Sequence, residues 1–219
     1  MTADTEFIYL HGFASGPQSI KASAFKAEFE RNHLPLMVPD LEGEDFENLT
    51  LTRQAQLIEK CLEQVPSRNI GVIGSSLGGY LAAQIAQRND KVVALYLMAP
   101  AFNFLKRWRE RLKTELSEPF ENSDLIWVFH FRYNRKMPLK AFFFRDAEKW
   151  DAVSLDKALP VRIVHGVHDE TVSIEESRRF VKHRPYCRLH ELDADHGLIS
   201  QLNWMMADCL EFFKREGLV

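Results

Sequence analysis

Cysteine is scarce: Cys61, Cys187 and Cys209 are the only three in 219 residues, widely spaced and with no CxxC pair. So odd and scattered a set excludes a disulfide framework and a cysteine-built metal site. It reads as reduced thiols in a cytoplasmic protein. No apolar run reaches membrane-spanning length, and the first six residues carry acids where a signal peptide carries a basic region. Neither a transmembrane helix nor a signal peptide is therefore expected. Positive charge is not in excess either: 28 Lys and Arg against 31 Asp and Glu leave a formal charge of -3, which removes the electrostatic reason to expect nucleic acid as a partner. No repeat, low-complexity tract or linker interrupts the chain, and its length suits one domain, residues 1–219, around a single core.

What is present is an alternation of apolar runs and helical patterns. Glu6 to Leu10 reads as a buried strand entering a loop at His11-Gly12. Pro17 and Ser19 precede a helix over roughly Ile20 to Asn32, with Phe25 and Phe29 on one face. A second strand spans Leu34 to Val38 and a second helix roughly Leu49 to Gln64, its apolar face formed by Leu57, Ile58, Cys61 and Leu62. Ile70–Ile73 is a strand broken at Gly74, before helix formers from Leu77 to Gln87. Val92–Leu97, Val161–Val164 and Cys187–Leu192 are further strands, and an amphipathic helix over roughly Leu198 to Arg215 ends the chain. Strands apolar on both faces and alternating with helices predict an α/β fold. It would be a mostly parallel sheet of about six strands covered on both sides, with its chemistry at the carboxyl ends of the strands.

The stretch from Phe102 to Trp150 breaks this rhythm and holds 12 of the 25 aromatic residues, a concentration that calls for a buried surface of its own. Phe104, Trp108, Leu112 and Leu116 suit an amphipathic helix. Ile126 to Phe131 and Leu139 to Phe144 read as two short strands around Asn134-Arg135-Lys136. An insertion of this kind, at roughly 102–152, reads as a lid. Its basic run, Lys106 to Lys113, reads as a solvated helix face rather than a lipid-binding one.

Gly74-Ser75-Ser76-Leu77-Gly78 follows a strand and precedes a helix, the context that makes a G-x-S-x-G turn specific. Such a turn forces its serine into strained geometry and needs small neighbours. Ser76 stands at the apex, with Ser75 its rival. A serine hydroxyl needs a base, itself oriented by an acid, and the order Ser, Asp, His is met by Ser76, Asp169 and His196. His168 competes as base and Asp193 and Asp195 as acid, but Asp195 is too near His196 in sequence to buttress it comfortably. His11 and His165, each before a glycine at a strand end, suit structural hydrogen bonding. Oxyanion donors are expected from the backbone amides of Leu77 and Phe13. His165, His168 and Asp169 match no common metal spacing, and neither metal nor cofactor is expected.

The segments Tyr9 to Pro17 with Ser19 and Lys21-Ala22, Ile73 to Tyr80, His165 to Val172 and Asp195-His196-Gly197 together resemble the α/β-hydrolases, and within them the small YqiA-like esterases. The resemblance implies a compact core lacking the first two strands of larger members, and carboxylester hydrolysis through an acyl-enzyme. The substrate would be a small-molecule ester, with the aromatic segment favouring an apolar acyl or aryl group. Thioester hydrolysis or acyl transfer on the same residues, and a non-catalytic binding protein of the same fold, stand as alternatives.

Overall fold

The computed structural model describes residues 5–115, 124–151 and 154–219. Its centre is a six-stranded sheet of β1 (Thr5–Leu10), β2 (Leu36–Met37), β3 (Asn69–Ser75), β4 (Val92–Met98), β7 (Val161–Gly166) and β8 (Cys187–Leu192), in the order β2-β1-β3-β4-β7-β8. Every neighbouring pair in it is parallel. The helices are α1 (Ile20–Arg31), α2 (Leu51–Gln64), α3 (Leu77–Ala86), α4 (Phe104–Glu115), α5 (Phe142–Asp151), α6 (Ile174–Val181) and α7 (Leu202–Arg215). Between α4 and α5 a hairpin of β5 (Leu125–His130) and β6 (Arg135–Lys140) forms a separate antiparallel pair.

Side-chain alternation along β1 explains why the strands are apolar on both faces. Phe7 and Tyr9 join a core with Phe25 and Phe29 of α1 and Met205 and Phe213 of α7. Ile8 and Leu10 point the other way, into a second core with Ile58 and Leu62 of α2, Leu81 of α3 and Phe143 of α5. Each such side chain, fully buried, contributes roughly 1.5–3 kcal/mol. Ser19 caps α1 by accepting the Ala22 amide, and Thr50 caps α2 by accepting that of Arg53.

Three expectations are refined, and one helix is added. The second strand shrinks to Leu36–Met37, because Pro35 and Pro39 on either side have no N–H to give to a ladder. Leu139 to Phe144 is not one strand: β6 ends at Lys140 and Phe142 opens α5. Its buried positions 143, 144, 147 and 150 follow the helical period, which three consecutive phenylalanines disguise. The last helix is preceded by a 3₁₀ turn, Ile199–Gln201, because Leu198 adopts a left-handed φ of 57°. Helix α6 was not foreseen, although Ser173 caps it and Glu175 and Glu176 occupy its first turn.

Leu116 and the side chain of Leu112 lie outside what is described. Of the basic run, Arg109 pairs with Glu148 of α5, and the side chains of 111–113 are likewise outside it. Among the described residues no helix is long and apolar enough to cross a membrane.

Candidate active site

Ser76 sits between β3 and α3 with φ 54° and ψ -117°. A left-handed φ on a residue with a Cβ costs about 1–3 kcal/mol and persists only where the surroundings enforce it. Here the Ser76 amide donates to Met98 O at 2.9 Å, and its carbonyl accepts from Gly79, Tyr80 and Ala101 at 3.0, 3.1 and 3.1 Å. The first turn of α3 lies hard against the end of β1, so that a Cβ on Gly78 would stand 2.2 Å from the Leu10 carbonyl oxygen. This close approach brings the loop His11-Gly12-Phe13 beside the serine: a Cβ built on Gly12 would touch that of Ser76 at 3.4 Å.

Ser75 is buried as the last residue of β3. The apex therefore belongs to Ser76.

The other two loops are joined to each other. Val167 N donates to Leu192 O at 2.8 Å and His168 N to Ala194 O at 3.1 Å. Gly166 allows this, because a Cβ there would meet the Ala194 carbonyl oxygen at 2.2 Å. Asp169 and His196 are thereby held face to face. His196 Nδ1 lies 2.7 Å from Asp169 Oδ2, and its Nε2 lies 3.1 Å from Ser76 Oγ. With Nδ1–H donating to the carboxylate, Nε2 is the tautomer's free base and accepts the serine O–H.

Asp169 has no exposed side-chain surface. Its Oδ1 accepts the amides of Thr171 and Val172 at 2.8 and 2.6 Å. Burial works to raise its pKa, but hydrogen bonds from His165, His196 and the Val172 amide outweigh it and hold the carboxyl well below the usual carboxylate range.

His165, fully buried, contacts Asp169 Oδ2 at 3.1 Å and Val172 O at 2.9 Å through Nε2. Both partners are acceptors, so Nε2 carries the proton and Nδ1 accepts the Ser177 hydroxyl at 2.8 Å. Sequence reasoning assigned His165 a structural hydrogen bond without seeing that its partner would be Asp169. The i, i+4 spacing across a strand end was the available signal.

The competitors are employed elsewhere. His168 pairs with Asp193 at 2.9 Å on the surface, and Asp195 Oδ1 accepts the Leu198 amide at 3.1 Å. His11 Nε2 accepts the Leu41 amide at 3.0 Å, so its Nδ1–H donates to Gly12 O at 2.9 Å, and burial holds its pKa below the ordinary histidine value.

Leu77 opens α3, and its amide is among those with no intrahelical acceptor. Phe13 follows Gly12, and its ring packs against Phe46, Trp108 and Phe143 at centroid distances of 5.7, 5.3 and 5.3 Å. Sequence reasoning gave no site role to Lys21 of α1. Burial pulls its ammonium down to about 8, opposed by the charges of Asp169 and Asp195.

A family model described as "Uncharacterised protein family (UPF0227)" matches residues 6–213. Over 111 residues the chain is 32% identical to mouse palmitoyl-protein thioesterase ABHD10, mitochondrial. That stretch is 48% of this chain and spans 37% of the relative's length. Among solved structures, mouse alpha/beta hydrolase domain-containing protein 10 superposes with a TM-score of 0.80 at 21% identity, covering 96% of this chain and 90% of that one. Est1E from Butyrivibrio proteoclasticus gives 0.79 at 22%, covering 98% and 89%, and has also been solved with ferulic acid bound. The fold is that of the α/β-hydrolases.

Proposed function

The chain belongs to the UPF0227 family, and from that premise we propose that it is a serine hydrolase that cleaves carboxylic esters through an acyl-enzyme. The observation that carries this reading is the single imidazole of His196, in reach of Ser76 Oγ at 3.1 Å and Asp169 Oδ2 at 2.7 Å, with the serine on a strained turn. His196 Nε2 takes the hydroxyl proton as Ser76 Oγ attacks the ester carbonyl carbon. The amides of Leu77 and Phe13 receive the developing oxyanion. As the carbonyl–alkoxide bond breaks, His196 returns the proton to the alkoxide, which leaves as the alcohol while the acyl group stays on Ser76 Oγ. Water, deprotonated by the same nitrogen, then releases the acid and restores the serine.

Asp169 stays ionised throughout, stabilising the transient imidazolium and fixing its tautomer. The aromatic wall around Phe13, with Trp108 partly exposed, supports an apolar acyl or aryl group in the substrate. The segment between β4 and β7 would then act as its lid. A fluorophosphonate probe tests the assignment: it should label the wild type and leave Ser76→Ala untouched, and equal labelling of both would refute it.

Thioester hydrolysis on the same residues is the second reading, favoured by the 32% identity to a palmitoyl-protein thioesterase. The acyl-enzyme is common to both, so paired nitrophenyl esters and acyl thioesters of equal chain length separate them by kcat/KM.

A further inference from the structure

The β5–β6 hairpin departs on one face from the usual rule for a surface sheet, polar outside and apolar inside. Its inner face is ordinary: Ile126, Val128 and Leu139 are buried in the core. Its outer face is not. Along β5 the outward positions are Leu125, Trp127 and Phe129, all exposed, and the turn adds Phe131. Trp127 keeps 62% of its surface accessible and Phe131 71%. Opposite them on β6 stand Lys140, Pro138 and Lys136, paired in register with Leu125, Trp127 and Phe129. An apolar, largely aromatic row thus lies directly beside two lysines, in a molecule whose overall charge is -3.

We propose that this outer face docks the protein onto lipid bilayers carrying anionic headgroups. Charge and composition together select this occupant. Aromatic rings are at home at the bilayer–water boundary, and neighbouring cations are drawn to an anionic leaflet. The cores of protein–protein interfaces also favour aromatics but are depleted in lysine, and here Lys136 stands directly opposite Phe129 and Lys140 opposite Leu125 on the same face. Arg132 is paired with Asp40, and Lys140 is held by Asn48 with Glu47 at 4.0 Å. Among the described residues no carboxylate lies within ion-pair distance of Arg135 or Lys136, and the Arg135 guanidinium lies 6.0 Å from the Tyr133 ring.

The hairpin is also joined to the site. Phe131 N donates to Ala14 O at 2.8 Å, one residue from Phe13. Behind it a buried pair, His130 Nε2 and Glu42 Oε2 at 2.7 Å, shares Glu42 with the Ser15 amide. Docking would therefore bring the loop that carries Phe13 near the bilayer, where lipophilic esters partition. That consequence rests on the hydrolase reading above; the docking does not.

Co-sedimentation of the full chain with vesicles of phosphatidylcholine alone, and of phosphatidylcholine mixed with phosphatidylglycerol, tests it. The wild type should pellet with the mixed vesicles and stay in solution with the neutral ones. Lys136→Gln should lower partitioning about five-fold, the worth of one cation at an anionic surface, and Trp127→Ser/Phe131→Ser by more than ten-fold. Those side chains are exposed, so the melting temperature should not change. Ser76→Ala should pellet like the wild type whatever becomes of ester turnover, which keeps the two readings separable. The proposal is overturned if the wild type ignores anionic vesicles or if the variants pellet equally. It is also overturned if light scattering finds a dimer that Trp127→Ser/Phe131→Ser converts to monomer, since the face would then belong to a second copy.

Discussion

His165 and His196 hydrogen-bond the same oxygen, Asp169 Oδ2, at 3.1 and 2.7 Å. One imidazole faces Ser76; the other is sealed in the core with its Nε2–H directed at the carboxylate. The buried ring thus helps to fix which way the carboxylate points, while in the proposed reaction the outer ring does the proton transfer.

Replacing that donor should loosen the acid without removing it. His165→Phe should slow fluorophosphonate labelling about ten-fold, the worth of one hydrogen bond to a charged group. It should also lower stability by about 1–3 kcal/mol, since Ser177 loses its buried partner. His165→Gln, which keeps a donor, should recover part of the rate. Labelling at the wild-type rate in His165→Phe would show that Asp169 is held well enough by the Thr171 and Val172 amides.

The triad variants should differ by role. Ser76→Ala should lower kcat by about 10⁶-fold and Asp169→Asn by about 10⁴-fold, by analogy with other serine hydrolases. Nitrophenyl ester turnover measures both. If Asp193→Asn matched Asp169→Asn, the acid would be misassigned.

Asp169 also makes a pH signature. Its folded pKa lies below the ordinary carboxylate value, so its contribution to stability is present above the unfolded pKa and is lost as pH falls through the folded one. Wild type should therefore lose stability below about pH 4 more steeply than Asp169→Asn, with urea midpoints as the readout.

At the alkaline end the buried thiols act in the opposite sense. Burial pushes Cys187 up to about 12 and raises Cys209 well above the ordinary value. A raised pKa means that the folded state keeps a proton that the unfolded chain has released. Stability is full below the unfolded thiol value and should fall from pH 9 upward, by up to about 1.4 kcal/mol per pH unit for each thiol. Cys187→Ala should flatten that slope in urea titrations, and an unchanged slope would exclude the thiol as its source.

Gly78 tests the packing beneath the nucleophile. In Gly78→Ala the new Cβ would collide with backbone, the Leu10 and His11 carbonyls, which cannot swing aside as a side chain would. The loss of stability should reach at least the roughly 3 kcal/mol upper end usual for overpacking, read by denaturant unfolding. Wild-type stability would mean that α3 can slide away from β1.

The ends of β1, β3, β7 and β8 were legible to within about two residues, because each apolar run closes on a small or polar residue (β3 runs on to Ser75 and β7 to Gly166), and such ends are where a parallel sheet gathers its chemistry. Chain order singled out Ser76, Asp169 and His196, and the fold brings the three within hydrogen-bond reach. Less was legible where local patterns compete. Phe142-Phe143-Phe144 suits a strand or a helix equally in a short window, and only contact with α2 and α4 decides for the helix. The sharing of Asp169 by two histidines, the Glu42–His130 pair and the approach of Lys21 all join residues distant in sequence or hidden by a turn, so no local periodicity announces them.

The Ser76 carbonyl accepts three amides, and one of them, from Ala101, belongs to the first residues leaving β4. This joint is made by main chain alone and carries no side-chain identity. The root of the aromatic segment can thus be kept while everything beyond it is exchanged, and a transplanted cassette from a relative would meet an unchanged Ser76 turn. On the proposed reading, substrate preference and reaction chemistry are, at this joint, separately heritable.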